Sequence, residues 1–261
     1  MHAANFNATV LENVALGDSI FRLRAAYDTV APAPCAGQFF MLRAWRADEA
    51  PLLSRPISVH DYDAKLGEIT FLYEQRGLGT EKIAAQKAGD LLQLTGPAGN
   101  GFPLEALHGK VALVGGGIGV APLLYLAKTL AQKGVTVDFY AGFRDIPYQI
   151  DAFRAVCNKV SIATDSGKAG HKGFVTELFE PAAYDAICTC GPEIMMQKVA
   201  QMCLQKDTAV YVSKEAKMAC GIGACLGCTC KSKNGGVSVC KDGPVFEGSV
   251  FYALDASESL R

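Results

Sequence analysis

The 261-residue sequence predicts a fold of mixed class, α/β plus β, in three parts. These are an N-terminal β-barrel (residues 1–103), a parallel α/β nucleotide-binding domain (104–212) and a small C-terminal cysteine-bearing subdomain (213–261). Three observations predict this. Short alternating apolar runs fill the first hundred residues, broken by Gly, Pro and Asp. From Lys110 the period changes, and compact apolar runs alternate with helical patterns. The final stretch carries spaced cysteines and many glycines but no apolar run long enough to build a core.

In the first part, the runs at 8–11, 20–25, 38–43, 57–61, 68–73 and 91–95 have the length and spacing of strands in a small barrel. The turn-rich stretch 96–103 (Gly-Pro-Ala-Gly-Asn-Gly-Phe-Pro) marks a boundary. In the second part, 111–114 is a compact buried strand followed by a glycine run and a helical stretch over 121–133. Further strands are expected at 135–141, 160–163 and 186–189, with helical patterns between them. Alternation of this kind gives a parallel sheet with helices on both faces.

Composition narrows the function. The chain is 50% hydrophobic and 20% charged with a net charge of −1, which offers nucleic acid or an anionic membrane surface no electrostatic attraction. No apolar run reaches the ~18 residues of a spanning helix. The most apolar stretch, 111–127, is interrupted by Gly115, Gly116, Gly117, Gly119 and Pro122. The sequence opens without a charged, then apolar, then cleavage-site pattern, so its ten cysteines are expected in a reducing cytoplasm.

Cys220, Cys225, Cys228 and Cys240 follow a C-x4-C-x2-C pattern, with the last cysteine after eleven intervening residues. Thiolates at that spacing are the plant-type arrangement for a [2Fe–2S] cluster. A zinc site would ordinarily use two short C-x2–4-C knuckles, and only Cys225 and Cys228 form one. Gly221, Gly223 and Gly227 lie between the first three cysteines, where a loop must wrap closely around an inorganic core and aim N–H groups at sulfur. Cys230, one residue beyond Cys228-Thr229, is expected to be a bystander.

Two further sites suit phosphate. Gly115, Gly116, Gly117 and Gly119 follow a predicted strand and open a helix, where backbone can approach a pyrophosphate and helix N–H groups point outward. Val120 stands where G-x-G-x-x-G would place its third glycine, so Asp138 is not expected to read a ribose. In the barrel, Arg55-Pro56-Ile57-Ser58 combines a guanidinium fork, a fixed φ and a hydroxyl. Gly77-Leu78-Gly79-Thr80 offers N–H groups at the head of a possible helix. On chemistry alone, these barrel residues suit a phosphate contact and a surface salt bridge with a glycine turn equally well.

Taken in order, Arg-Pro-Ile-Ser, Gly-x-Gly-Thr, Gly-Gly-Gly-Ile-Gly-x-Ala-Pro and Cys190-Gly-Pro resemble the ferredoxin–NADP reductase superfamily over residues 1 to about 212. With the C-terminal cysteines, the whole chain resembles the electron-transfer subunits of NAD-linked dihydroorotate dehydrogenases. The resemblance implies an oxidoreductase subunit with one FAD and one [2Fe–2S] cluster per chain and NAD as substrate. It implies FAD contacts from Arg55, Pro56, Ile57, Ser58, Leu72, Tyr73, Glu74, Gly79 and Thr80, with Glu74 and Gln75 acting through backbone. Gly115, Gly116, Gly117 and Gly119 would face the NAD pyrophosphate, and Cys190 would lie near the nicotinamide–flavin contact or serve only as a buried strand-end thiol. Cys220, Cys225, Cys228 and Cys240 would hold the cluster.

The implied partner is an FMN-containing catalytic subunit that oxidises dihydroorotate to orotate in pyrimidine (UMP) synthesis, in a heterotetramer of two copies of each chain. Hydride transfer needs no general acid or base, and none is nominated; His60, His108 and His171 are expected at the surface or in loops. Rival readings are a sister subunit in ferredoxin bifurcation or sulfite reduction, a stand-alone NADH:acceptor reductase, and a zinc-stabilised nucleotide-binding module. Choice between NAD and NADP rests on the resemblance, because Arg144 can face a 2′-phosphate or pair with Asp145.

Overall fold

The computed structural model describes residues 3–17, 19–27 and 31–253, and every count given is of those residues. They fall into two compact units. One runs up to Gly101 and includes Glu215–Cys230 and Ser238–Pro244; the other comprises Phe102–Lys214, Lys231–Val237 and the chain from Val245.

The first unit is built on β1 (Ala4–Ala15), β2 (Ile20–Ala26), β3 (Phe39–Arg43), β4 (Arg55–Asp63), β5 (Glu68–Glu74) and β6 (Leu91–Ala98), with α1 (Leu78–Ala84) between the last two strands. The six strands close into a barrel in the order β1-β2-β5-β4-β3-β6, all neighbours antiparallel. Closure leaves no open edge, and alternate residues fill the interior. Leu23, Phe40, Leu42, Phe71 and Leu92 are fully buried, and the Phe40 and Phe71 rings meet edge to face.

His60 corrects an expectation. It lies within β4 and is 1% exposed, not in a loop or at the surface. The β4–β5 register shifts between Val59 and Asp61, and the extra residue at this bulge leaves Val59 and His60 both buried. His108 and His171 are exposed, as expected.

The second unit is an α/β sheet. It contains β7 (Lys110–Gly116), α2 (Leu123–Gln132), β8 (Thr136–Phe143), α3 (Ile150–Arg154), β9 (Lys159–Thr164), β10 (His171–Lys172), β11 (Ala186–Cys190), α4 (Glu193–Gln205) and β12 (Ala209–Ser213). The strand order is β10-β9-β8-β7-β11-β12-β15, parallel throughout except that β15 (Val245–Glu247) runs antiparallel to β12. β7 reads as an unbroken apolar run because both its faces are covered. Between β12 and β15 lie a hairpin of β13 (Thr229–Ser232) and β14 (Gly235–Ser238), and the short α5 (Val239–Asp242). No helix among the described residues is long and apolar enough to cross a membrane.

Candidate cofactor sites

In the first unit, Arg55 opens β4 and pairs in register with Leu42 of β3. Its Nη1 donates to the Leu53 carbonyl at 2.6 Å and the Ser54 carbonyl at 3.4 Å, and its guanidinium lies 5.9 Å from the Trp45 ring centre. The same guanidinium packs on Gly79: a Cβ there would stand 2.5 Å from Arg55 Nε. Arg55 and the Gly79-Thr80 turn, two dozen residues apart in sequence, are thus brought together. Pro56, Ile57 and Ser58 follow Arg55 along the half-exposed start of β4. Thr80 caps its own turn, its Oγ1 accepting from the backbone N–H groups of Arg76 (2.8 Å) and Gly77 (3.2 Å) while donating to the Gly77 carbonyl.

Leu72 and Tyr73 are buried in β5. The Tyr73 hydroxyl donates to Asn13 Oδ1 at 3.1 Å, and burial raises its pKa far above the ordinary phenol value. Asn13 Nδ2 in turn donates to the carbonyls of Ile83, Ala84 and Gln86 at the end of α1. Tyr73 therefore braces the helix that carries Gly79 and Thr80. Glu74 holds Arg76 through Oε2, so its side chain is already engaged.

In the second unit the glycine turn sits at the C-terminal end of β7, the edge of an α/β sheet where ligands bind. Gly115 and Gly116 end the strand, and Gly117-Ile118-Gly119-Val120 forms a 3-10 turn ahead of α2, with Gly117 at φ +53°. Each glycine has a local reason. A Cβ on Gly119 would collide with the Cys190 carbonyl; one on Gly116 would come within 2.6 Å of Met195 Sδ and 2.8 Å of Pro192 Cδ. Gly191, at φ +152°, is equally close to the Gly116 backbone. The turns after β7 and β11 are therefore locked backbone to backbone, which brings Cys190 to Gly119. Cys190 is 2% exposed at the end of β11.

Asp138 lies inside β8, away from the glycine turn, opposite Ala112 and Lys159. Its carboxylate accepts from the Tyr184 hydroxyl at 2.9 Å and from Asn158 at 3.3 Å, with Lys110 Nζ at 3.2 Å. Asp145 accepts from Lys168 Nζ at 2.6 Å, which answers the question of its partner.

The cysteine loop belongs to the first unit. Cys220 is half-buried, Cys225 exposed, and Cys228 and Cys240 are each 3% exposed with their sulfurs 3.2 Å apart. No three His, Cys, Asp or Glu side chains among the described residues converge as they would on one bare metal ion. Backbone N–H groups do converge on the sulfurs: Gly223 on Cys240 at 3.1 Å, Cys225 on Cys220 at 3.4 Å, Gly227 on Cys225 at 3.4 Å and Cys240 on Cys228 at 3.3 Å. Burial would raise the Cys220 thiol, but N–H groups of Ile222, Cys225 and Ala224 outweigh it and bring the pKa down to about 6. Burial, with the neighbouring Cys228 thiol, pushes Cys240 up to about 12. N–H groups aimed at sulfur stabilise thiolate charge, so the donor set fits an iron–sulfur cluster. Left-handed backbone at Gly221 (φ +70°) and Gly223 (φ +80°) shapes the loop, and Leu226 adopts it too, at φ +58°.

Three residues had not been singled out from sequence. Trp45 carries Arg43 at 5.7 Å as well as Arg55, and its Nε1 donates to the Pro51 carbonyl at 2.6 Å. A lone tryptophan flanked by arginines was the available signal. Asn100 Nδ2 donates to the carbonyls of Lys241 and Asp242 beside Cys240. Met41 packs on Gly221. Nothing in local spacing marks either of these last two.

Known proteins resemble this chain in sequence and in fold. Residues 215–251 match the iron–sulfur cluster binding domain of dihydroorotate dehydrogenase B. The chain is 51% identical, over 94% of its length and 96% of the relative's, to the dihydroorotate dehydrogenase B (NAD(+)) electron transfer subunit of Clostridium acetobutylicum. The corresponding subunit of Clostridium perfringens is 44% identical over 93% of this chain and 96% of its own. Among solved structures, a chain of the NADH-dependent reduced ferredoxin–NADP oxidoreductase, an electron-bifurcating system, superposes with a TM-score of 0.83 at 27% identity, covering 93% of this chain and 88% of its own. A ferredoxin NADP+ reductase from Neisseria gonorrhoeae with bound FAD and NADP shares the fold at 17% identity, with a TM-score of 0.62 over 77% of this chain and 91% of its own.

Proposed function

Because the chain belongs to the family of dihydroorotate dehydrogenase B (NAD(+)) electron transfer subunits, we propose that it holds one FAD and one [2Fe–2S] cluster and serves an FMN-containing catalytic subunit, two copies of each chain forming the complex. The activity is that of an oxidoreductase subunit: it carries electrons from dihydroorotate oxidation to NAD in pyrimidine synthesis. Bound flavin would exchange single electrons for a hydride, the form in which NAD accepts them, and the cluster would supply the one-electron chemistry.

The residues of this chain position and protect. Arg55, pre-set by the Leu53 and Ser54 carbonyls and the Trp45 face, presents a guanidinium to the FAD diphosphate beside Gly79 and Thr80. Pro56, Ile57 and Ser58 line the same strand, while Leu72, Tyr73 and Glu74 offer backbone, their side chains being engaged elsewhere. Gly115, Gly116, Gly117 and Gly119 admit the NAD pyrophosphate to bare backbone, with Cys190 as the buried wall behind them. Cys220, Cys225, Cys228 and Cys240 would ligate iron, with backbone N–H groups directed at their sulfurs. No residue is required as a general acid or base. We assign these tasks to residues 1–103, 104–212 and 213–261 in turn.

One observation carries the reading: Arg55 lies against Gly79 in one unit, whereas Gly119 lies against Cys190 in the other. Each pair unites segments that the resemblance assigned to one ligand. The bifurcating system is the competing assignment, and identity of 51% against 27% favours the dihydroorotate complex. The test is anaerobic capture of the chain from native extract, with FAD, iron and partner subunits quantified. NAD reduction by dihydroorotate is expected only from the captured complex. Turnover of dihydroorotate by the isolated chain, or capture with no flavoprotein partner, would overturn the two-subunit reading.

A further inference from the structure

The strand β3 is buried on both faces. In a closed barrel, alternate residues of a strand point inward, here Phe40 and Leu42, while the others face out and are normally wet. Phe39 and Met41 point the other way and are 2% and 3% exposed. A continuous apolar strand requires a cover on its second face. Within the same compact unit, that cover comes from the cysteine segment. A Cβ on Gly221 would stand 2.5 Å from Met41 Cγ and 2.6 Å from Met41 Sδ. At the other end, a Cβ on Gly99 would meet Pro244 Cδ at 2.5 Å and Phe39 Cε1 at 3.0 Å, so Pro244 and Phe39 lie close together there. Asn100 adds its backbone N–H to the Gly243 carbonyl at 2.6 Å, and its side chain binds the Lys241 and Asp242 carbonyls.

The other side of this contact is equally specific. β3 pairs with β4 so that Met41 stands opposite Pro56, Leu42 opposite Arg55, Phe40 opposite Ile57 and Phe39 opposite Ser58. Every residue of Arg-Pro-Ile-Ser therefore has a β3 partner. Met41 touches the residue next to Cys220 with its side chain and borders Pro56 with its backbone.

We propose that Met41 is a positioning residue: its buried thioether seats the Cys220–Cys225 loop on β3 and so fixes the cluster relative to the flavin-binding strand. The proposal rests on the cluster and FAD assignments above. It explains why residue 221 is glycine for two reasons at once, the left-handed backbone and the space that Met41 fills. Supporting contacts of this kind hold a site within the narrow geometry it needs. A core residue with no such task would affect stability alone.

The test uses the full-length chain purified anaerobically in its native complex, with variants Met41→Ala, Met41→Leu, Gly221→Ala and the Met41→Ala/Gly221→Ala pair. The readouts are the electron paramagnetic resonance spectrum and midpoint potential of the reduced cluster, iron release to EDTA, and FAD content. Met41→Ala is expected to shift the spectrum and potential and to speed iron release roughly tenfold, the factor given by ~1.4 kcal/mol of lost docking, while FAD content stays unchanged. Met41→Leu, which refills the space, should restore wild-type values. Gly221→Ala should be the more severe single change, and adding Met41→Ala should relieve part of it by making room for the new methyl. Wild-type spectrum, potential and iron release in Met41→Ala would overturn the proposal, as would a Gly221→Ala defect that ignores residue 41. A wild-type complex with no iron–sulfur signal would instead bring down the cluster assignment, and the proposal with it.

Discussion

The glycine turn after β7 and the cysteine loop after Lys214 are both glycine-rich, yet their glycines answer to different neighbours. Gly119 faces the carbonyl and backbone of Cys190–Gly191, which cannot move without dragging β11 with them. In the cysteine loop the neighbours are side chains: Met41 at Gly221, the Lys241 stem at Gly223, and Cys225 Sγ at Gly227. On the proposed reading, the first region is a cradle whose shape is its function. The second is a scaffold for sulfur, where ligand identity matters more than any single backbone fit. Exposure differs too: the turn is largely buried, while Cys225, Ile222 and Leu226 stand in solvent.

The largest effect should come from the ligands. Cys225→Ser replaces an exposed sulfur, so packing changes little and any loss is chemical. We expect the cluster's visible absorption to disappear or become labile, with FAD retained; an intact spectrum would remove Cys225 from the ligand set. Next come the glycines, which test the comparison directly. Gly119→Ala must displace backbone and should raise the KM for NAD about tenfold or more, leaving flavin and cluster spectra untouched. Gly223→Ala meets only the flexible Lys241 stem at 3.1 Å, so its cost is the left-handed backbone, about 1–2 kcal/mol. Equal damage to NAD binding from both would erase the distinction between cradle and scaffold.

Arg55→Ala is a milder break. It would remove the charge-assisted phosphate contact proposed for Arg55, worth roughly 1.5–3 kcal/mol, so FAD should dissociate at roughly tenfold to hundredfold higher concentration. Trp45→Leu should weaken FAD binding less, and should add little in an Arg55→Ala background, because Trp45 acts by holding the guanidinium. Flavin content on gel filtration and equilibrium titration of the apo chain measure both.

How much of this was written locally in the sequence follows from the range of the interactions. The barrel strands, the β7 strand with its glycines and the cysteine spacing are short-range patterns; the strands lie where their patterns predict, and the cysteines fall in the segment that matches the iron–sulfur domain. The approach of Gly119 to Cys190 is not local; only the Cys-Gly-Pro motif hinted at it. β12 and β15 add strands to the sheet on either side of the cysteine segment, and β15 pairs with β12 through three residues too few to show a period. The apolar run 39–42 was legible as a strand, but its second buried face was not, since the covering residues come from 180 or so positions downstream. His60 went astray because it falls at a bulge, which has no reliable sequence mark and leaves two successive residues of β4 buried.

The smallest effect is at the opposite end of β7 from the glycine turn, and it separates fold maintenance from ligand binding. Lys110 begins β7 and pairs with the buried Asp138, whose other partners are Tyr184 and Asn158. Burial alone would raise the Asp138 carboxyl, but the Tyr184 hydroxyl, Asn158 and Lys110 together hold it below the ordinary carboxylate range. A carboxyl that binds its proton less readily folded than unfolded stabilises the fold above the unfolded pKa of about 3.9, and that contribution fades as pH falls towards the lowered folded value. The stability advantage of wild type over Asp138→Asn should therefore be constant from about pH 5 to pH 8 and shrink below about pH 4. Urea midpoints across that range measure it. The KM for NAD should be the same in both proteins at neutral pH, because Asp138 serves the sheet; a rise in the variant would mean that the residue reads the nucleotide after all.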